Sequence, residues 1–133
     1  MTATDTSRLV TGVDFVPIFV TDFDCAMRFY GETLQLPRSV HRRDSGFAEF
    51  ETGNLTLSVL DPEKMGLEFR RATNSPALHV DDVAAARRTL EERGIEFQGD
   101  IIDTGVCHMA FFQDPDGNEL MLHHRYAPRQ TDL

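Results

Sequence analysis

Phe111-Phe112-Gln113-Asp114-Pro115-Asp116-Gly117-Asn118-Glu119-Leu120-Met121-Leu122-His123-His124 reads as two strands joined by a tight acidic turn. Pro115 fixes φ, Gly117 takes positive φ without a Cβ penalty, and the Asp and Asn side chains bond their own backbone, so residues 114–118 reverse the chain. The apolar runs on either side then pair as a hairpin. Acids and two adjacent histidines fall in one short run, so the faces of this hairpin bear on any chemistry the protein performs.

Moving outward, Ser75–Val80 reads as a strand, Asp82 as an N-cap, and Val83, Ala86 and Leu90 as the apolar stripe of a helix stopped by Gly94. Ile95–Phe97 and Val106–Gln113 lead into the hairpin. The N-terminal half has the same order. Val13–Val20 is a strand in which Pro17 demands an edge or a bulge. Asp22 caps a helix with Phe23, Met27, Tyr30 and Leu34 on one face, and Pro37 ends it. Ser39–Arg43, Gly46–Glu51 and Leu55–Leu60 follow as strands, the last entered through a Gly53-Asn54 turn. Asp61–Asn74 is the connector, with Phe69 a candidate for a short strand. The capping aspartates Asp22 and Asp82 lie 60 positions apart, and the Gly-Asn turns at 53 and 117 lie 64 apart. This repeat predicts an α+β fold of two tandem βαβββ modules forming a cupped mixed sheet. Module one spans about 12–61, the connector about 62–74 and module two about 75–126, with a flexible tail at 1–11 and another at 127–133.

The chain has 133 residues, 41% of them apolar and 26% charged, which fits one globular domain. A formal net charge of −9 with a single lysine, Lys64, argues against nucleic acid, whose phosphates need clustered cations. No apolar run approaches a membrane span and the N-terminus lacks the apolar core of a signal peptide, so a cytoplasmic protein without membrane contact is expected. Cys25 and Cys107 are too few for a disulfide framework or a thiolate zinc site.

Five histidines remain as polar candidates. Alternation along a strand puts His79 on the face of Ser75 and His123 on the face of Met121, with His124 turned away from His123 and the face of His108 open. His41, beside Arg42-Arg43, is expected in solvent. His79 and His123 are candidate acids or bases, or groups that orient a ligand. Each also fits a plainer role, satisfying a neighbouring backbone or carboxylate group.

Val20-Thr21-Asp22-Phe23-Asp24-Cys25-Ala26-Met27-Arg28-Phe29-Tyr30 and Phe112-Gln113-Asp114-Pro115-Asp116-Gly117-Asn118 resemble the opening and the turn of the vicinal oxygen chelate superfamily, which includes glyoxalases, bleomycin-resistance proteins and dioxygenases. The resemblance covers about residues 12–126. It implies the glyoxalase/bleomycin-resistance fold. In its metalloenzymes, metal ligands stand seven residues before the capping Asp and three after the Asn of the turn. Here those positions hold Phe15, Ser75, Leu57 and Met121, which suit no hard divalent metal. The resemblance therefore implies a binder without the usual metal site and without a cofactor. Its cupped cavity is lined by Phe15, Phe19, Phe47, Leu57, Val59, Ser75, His79, His108, Met121 and His123. Its ligand is a small, partly aromatic or apolar molecule, and it is a homodimer. The alternative is a lyase, isomerase or dioxygenase of this superfamily, using a divalent metal relocated to His79, His108 and His123, or a histidine acid or base. A module whose cavity is filled by its own side chains, such as Phe15 and Phe47, is a third expectation.

Overall fold

The two capping aspartates act as the sequence predicts. Asp22 accepts a hydrogen bond from the Cys25 N–H and Asp82 from the Ala85 N–H, each at 3.0 Å. In this computed structural model, residues 8–129 are described, and of the tails expected at 1–11 and 127–133, residues 1–7 and 130–133 lie outside the described residues. β1 (Phe15–Phe19) leads to α1 (Phe23–Arg28), which runs on as a π-helical turn over Phe29–Thr33. β2 (Arg38–Arg42), β3 (Phe47–Glu51) and β4 (Thr56–Leu60) complete module one. A 3-10 turn at Pro62–Met65 opens the connector, and Phe69 joins no strand. Module two is β5 (Ala77–His79), α2 (Val83–Glu92), β6 (Phe97–Asp103), β7 (Cys107–Gln113) and β8 (Glu119–Arg125).

Each module forms one mixed four-stranded sheet, ordered β1-β4-β3-β2 and β5-β8-β7-β6. The first strand of each runs parallel to the last, and the remaining pairs are antiparallel. Pro17 sits on edge strand β1, where its missing N–H breaks no ladder. β6 is longer than Ile95–Phe97 alone predicted. Its register shifts between Gln98 and Ile102, around Gly99 at φ 68°, so a polar Gln-Gly-Asp run hides a strand that continues past a bulge.

The repeat is real, and its register differs by one residue from the turn-based count. Val20 N–H bonds the Leu60 carbonyl at 2.9 Å and Val80 N–H bonds the His123 carbonyl at 3.0 Å. Leu60 and His123 are therefore equivalent, 63 positions apart and not 64. Met121 then corresponds to Ser58, not to Leu57. A slip of one residue in a strand exchanges its two faces, so the correction decides which side chains meet the core.

One face of both sheets merges into a single core with the helices. Ile18, Ala48, Phe50, Leu57 and Val59 of module one join Ala110, Phe112, Leu120 and Leu122 of module two. Ala26, Phe29, Tyr30, Val83 and Leu90 fill the space between them. Phe29 of module one meets Phe112 of module two at 6.4 Å, centroid to centroid, and Phe112 packs on Phe97 within module two at 5.1 Å. A fully buried side chain of this size contributes about 1.5–3 kcal/mol by area alone.

The acidic turn is a polar clasp between the modules. Buried Asp114 accepts from Tyr30 Oη at 2.7 Å, from Asn118 Nδ2 at 2.8 Å and from the N–H groups of Asp116 and Asn118, each at 2.9 Å. Asn118 Nδ2 also donates to the Phe19 carbonyl at 2.8 Å, and its Oδ1 accepts from the Ala72 N–H at 2.7 Å. Thr21 bonds both carboxylate oxygens of Asp116. One turn thus ties β1, the π-helical turn and the connector together with every buried donor met.

Candidate functional site

With Val16, Ile18, Leu57 and Val59 committed to the core side, alternation turns Phe15, Pro17 and Phe19 to the outer face of the first sheet. Their register partners there are Thr56, Ser58 and Leu60. Phe47, Glu49 and Glu51 share that face. Phe15 is 51% exposed and Phe47 is half-buried, so these two bulky side chains stand at the surface of the chain. Leu57 and Val59, expected on the same face as Phe15, lie in the core instead, for the register reason above. On the second sheet the outer face carries Ala77, His79, Met121, His123, Met109 and Phe111.

A groove of about 530 Å³ lies between the two edge strands β1 and β5. Val16, Leu36, Leu55, Leu57 and Leu78 give it an apolar wall, while Thr52, Asn54, Asn74, Ser75 and His79 supply polar groups. Among the sequence-predicted residues it gathers Leu57, Ser75 and His79. It leaves Phe15, Phe19, Phe47, Val59, His108, Met121 and His123 elsewhere. Leu36, Leu55 and Asn74 were not foreseen, since they belong to turns and to the connector, where periodicity carries no facing information.

The histidines divide into two sets. His79 and His123 are register partners on β5 and β8, on the outer face. His108 pairs with His124, and Met109 with His123, so His108 lies on the other side of the sheet from His123. The set His79, His108 and His123, expected as a relocated metal site, is therefore not brought together. Among the described residues no group of three His, Cys, Asp or Glu side chains could hold a metal ion. His124, turned away from His123 as alternation requires, is half-buried on the helix side with Nδ1 3.1 Å from the Val80 carbonyl. His41 is exposed as expected and stacks on Phe23 at 5.8 Å.

His108 belongs to a second recess of about 410 Å³ at the start of α2, with His124, Tyr126, Asp81 and Asp82. Its Nε2 lies 3.3 Å from Asp103, which also accepts from the Gly105 N–H and from Tyr126 Oη, each at 2.8 Å. These bonds, the Gly105 N–H first, hold the Asp103 carboxyl below its usual range, and the same contact raises the Tyr126 phenol. Cys107 is buried with its Sγ 3.0 Å from the Thr104 hydroxyl, and Cys25 is half-buried.

Sequence reading passed over Glu49 and Glu51. In Phe47-Ala48-Glu49-Phe50-Glu51 the alternation was legible: Ala48 and Phe50 are buried, and the two carboxylates take the outer face. Glu51 accepts from the hydroxyls of Ser39 and Thr56, which hold its carboxyl below the usual range, and Glu49 accepts from Ser58 Oγ at 3.2 Å. The two family positions on the last strands thus hold Ser58 and Met121, neither of them an acid.

Two βαβββ modules sharing one core, with a groove where their edge strands meet, define a paired-module α+β protein. The chain belongs to the Glyoxalase/Bleomycin resistance protein/Dioxygenase superfamily, whose family profile matches residues 12–122. Solved structures bear the fold out. A glyoxalase family protein from Bacillus anthracis is 22% identical, with 89% of this chain and 98% of that one covered and a TM-score of 0.75. TnmS3, an antibiotic binding protein from Streptomyces sp. CB03234, is 24% identical over 89% and 98% of the two chains, with a TM-score of 0.73. Lactoylglutathione lyase from Agrobacterium tumefaciens is 16% identical over 87% and 95%, with a TM-score of 0.71. A search of curated proteins returned no match. No helix among the described residues is long and apolar enough to cross a membrane.

Proposed function

We propose that this protein binds a small, partly aromatic or apolar molecule in the groove between its modules, without the metal site of the superfamily's metalloenzymes. The observation that carries the reading is the composition of that groove. Leucine and valine side chains make up much of its lining, and Asn74, Ser75 and His79 are among the hydrogen-bonding groups that line it with them. An apolar cleft of this size with a few polar groups is the usual form of a small-molecule site. The residues at the family's ligand positions support binding over metal chemistry, since Phe15, Ser58, Ser75 and Met121 suit no hard cation. An antibiotic binding protein of the same fold supports the ligand class. The protein acts in the cytoplasm as a homodimer, in which the half-exposed apolar side chains of the outer faces are covered.

A thermal-shift screen against aromatic metabolites and antibiotics tests this reading. A groove ligand at about 100 times its Kd stabilises the native state by about 2.7 kcal/mol, and the shift disappears in Ser75→Trp, which fills the groove. A panel that leaves the melting temperature unmoved, or a ligand indifferent to Ser75→Trp, would overturn it.

A second reading, an enzyme of the same superfamily, is favoured by one contact. His79 lines the groove with its Nε2 3.3 Å from Asp81, an arrangement that orients an imidazole for proton transfer. Turnover of a groove ligand that falls at least 100-fold in His79→Ala supports it, and turnover unchanged in that variant rejects His79 as the acid or base.

A further inference from the structure

β1 and β5 are edge strands of separate sheets and do not pair with each other, so the groove between them is bordered by two rows of backbone groups. The ladders on the far sides show which residues present those groups. In β1 the Val20 N–H bonds the Leu60 carbonyl, so Val16 and Ile18, in step with it, also turn their N–H and C=O toward β4. Phe15, Pro17 and Phe19 turn theirs to the free edge. That row is blunted, because Pro17 has no N–H and Asn118 Nδ2 takes the Phe19 carbonyl at 2.8 Å.

The row on β5 has no such protection. Val80 N–H bonds the His123 carbonyl at 3.0 Å, and Met121 N–H bonds the Pro76 carbonyl at 3.1 Å, so Pro76, Leu78 and Val80 serve β8. Ala77 and His79 therefore direct their N–H and C=O to the groove side, and these groups have no backbone partner among the described residues. Leu36, Leu55 and Leu57 offer apolar surface in the same groove. No Asp, Glu, Lys or Arg lines it, and His79 is its one titratable side chain. An unpaired strand edge beside an uncharged apolar cleft suits an extended chain, whose backbone bonds give affinity and whose alternate side chains give specificity.

We infer that the groove takes a short, extended peptide, or a molecule with the same amide backbone, which adds to β5 as a further strand of the second sheet. This rests on the groove being the ligand site and names the chemistry that the site accepts. The added strand lies about 4.8 Å from β5. One of its edges exchanges hydrogen bonds with Ala77 and His79, and every second side chain enters the cleft, where an uncharged aliphatic or aromatic group matches the lining. Its other edge faces β1, where Pro17 offers no donor, so the ligand is held from one side. A lysine at a cleft-facing position is rejected, because no carboxylate lines the groove to pair it.

The probes are pentapeptides with acetylated and amidated ends, in which leucine or valine alternates with threonine. Added to isotope-labelled full-length protein, they are expected to slow hydrogen exchange at the Ala77 and His79 amides at least about tenfold, the worth of one hydrogen bond. N-methylation of one alternate set of peptide amides weakens binding by a similar factor, while methylation of the other set, which faces β1, leaves it nearly unchanged. Lysine in place of a cleft-facing leucine also weakens it. Ala77→Pro removes an edge donor that the β5–β8 ladder does not use, so it weakens peptide binding and leaves the circular dichroism of the fold intact. No peptide binding up to millimolar concentration, or binding indifferent to both methylated sets, would overturn the inference. Should Ala77→Pro misfold, the methylated peptides decide on the unaltered protein. An aromatic compound that binds and is blocked by Ser75→Trp, with no peptide binding, sinks the added strand and leaves the groove reading standing. Failure of both sinks both.

Discussion

Replacing Tyr30 by phenylalanine removes one hydroxyl from the contact between the modules and little else. The ring is fully buried against Phe29 and Phe50 and stays in place. Only the 2.7 Å bond from Oη to Asp114 is lost, and Asp114 keeps the donors of Asp116, of Asn118 N–H and of Asn118 Nδ2. A hydrogen bond to a charged group contributes about 1.5–3 kcal/mol, and the three remaining donors keep the carboxylate from being stranded, so the expected loss is about 2 kcal/mol. Asp114→Ala is different in kind. It removes four accepted bonds and leaves Tyr30 Oη and the buried Asn118 N–H without an acceptor, so it costs more than about 3 kcal/mol. Urea denaturation measures both. With a slope of about 2 kcal/mol per molar, Tyr30→Phe lowers the midpoint by about 1 M and leaves the slope unchanged. The double variant Tyr30→Phe/Asp114→Ala costs less than the sum of the two, because the shared bond is counted once. A loss under about 0.5 kcal/mol for Tyr30→Phe, or full additivity, would refute the clasp as an energetic unit.

Three further outcomes follow from local geometry. Burial, and next the charge of Asp114, hold the Tyr30 phenol well above its ordinary value. The unfolded chain ionises near pH 10 and the folded chain does not, so the unfolded state binds fewer protons there. The stabilisation is complete below about pH 10 and is lost as pH rises toward the folded value. Urea midpoints from pH 8 to 11 should fall less steeply in Tyr30→Phe than in the parent, and parallel curves would contradict this. Asp82→Ala removes the α2 cap and should cost about 1 kcal/mol by thermal denaturation, with Asp82→Asn recovering most of it. Gly46 holds φ 61° and a Cβ there would stand 2.9 Å from Asp61 Cβ, so Gly46→Ala should cost about 1–2 kcal/mol from backbone strain, with the close contact adding to it. A neutral result on chemical denaturation would show that this turn relaxes freely.

The element order was legible because helix caps, proline and turn chemistry act over a few residues. Asp22 and Asp82 mark their helices by side chains that meet backbone three residues on. The turn at 114–118 was legible for the same reason, but its role was not. Its partners Tyr30, Phe19 and Ala72 lie 46 to 99 positions away, and no local pattern announces them. The predicted site fared unevenly for a related reason. Leu57, Ser75 and His79 line the groove, whereas Val59 lies in the core, because the face of β4 was counted from a turn whose length differs between the modules. The Glu49 and Glu51 pair could have been found by applying the same alternation to β3.

By itself the sequence determined two βαβββ modules, their capping residues, the acidic turn and the superfamily they belong to. All of these rest on propensities and motifs local to the chain. Tertiary structure alone decided that the modules share one core, that a groove opens between β1 and β5, and that His124 turns to the helix side against the Val80 carbonyl while His123 takes the opposite face. Those facts depend on strand register and on contacts between distant segments. Register is set by how whole faces bury against each other, and a single residue of slip reverses every side chain on a strand.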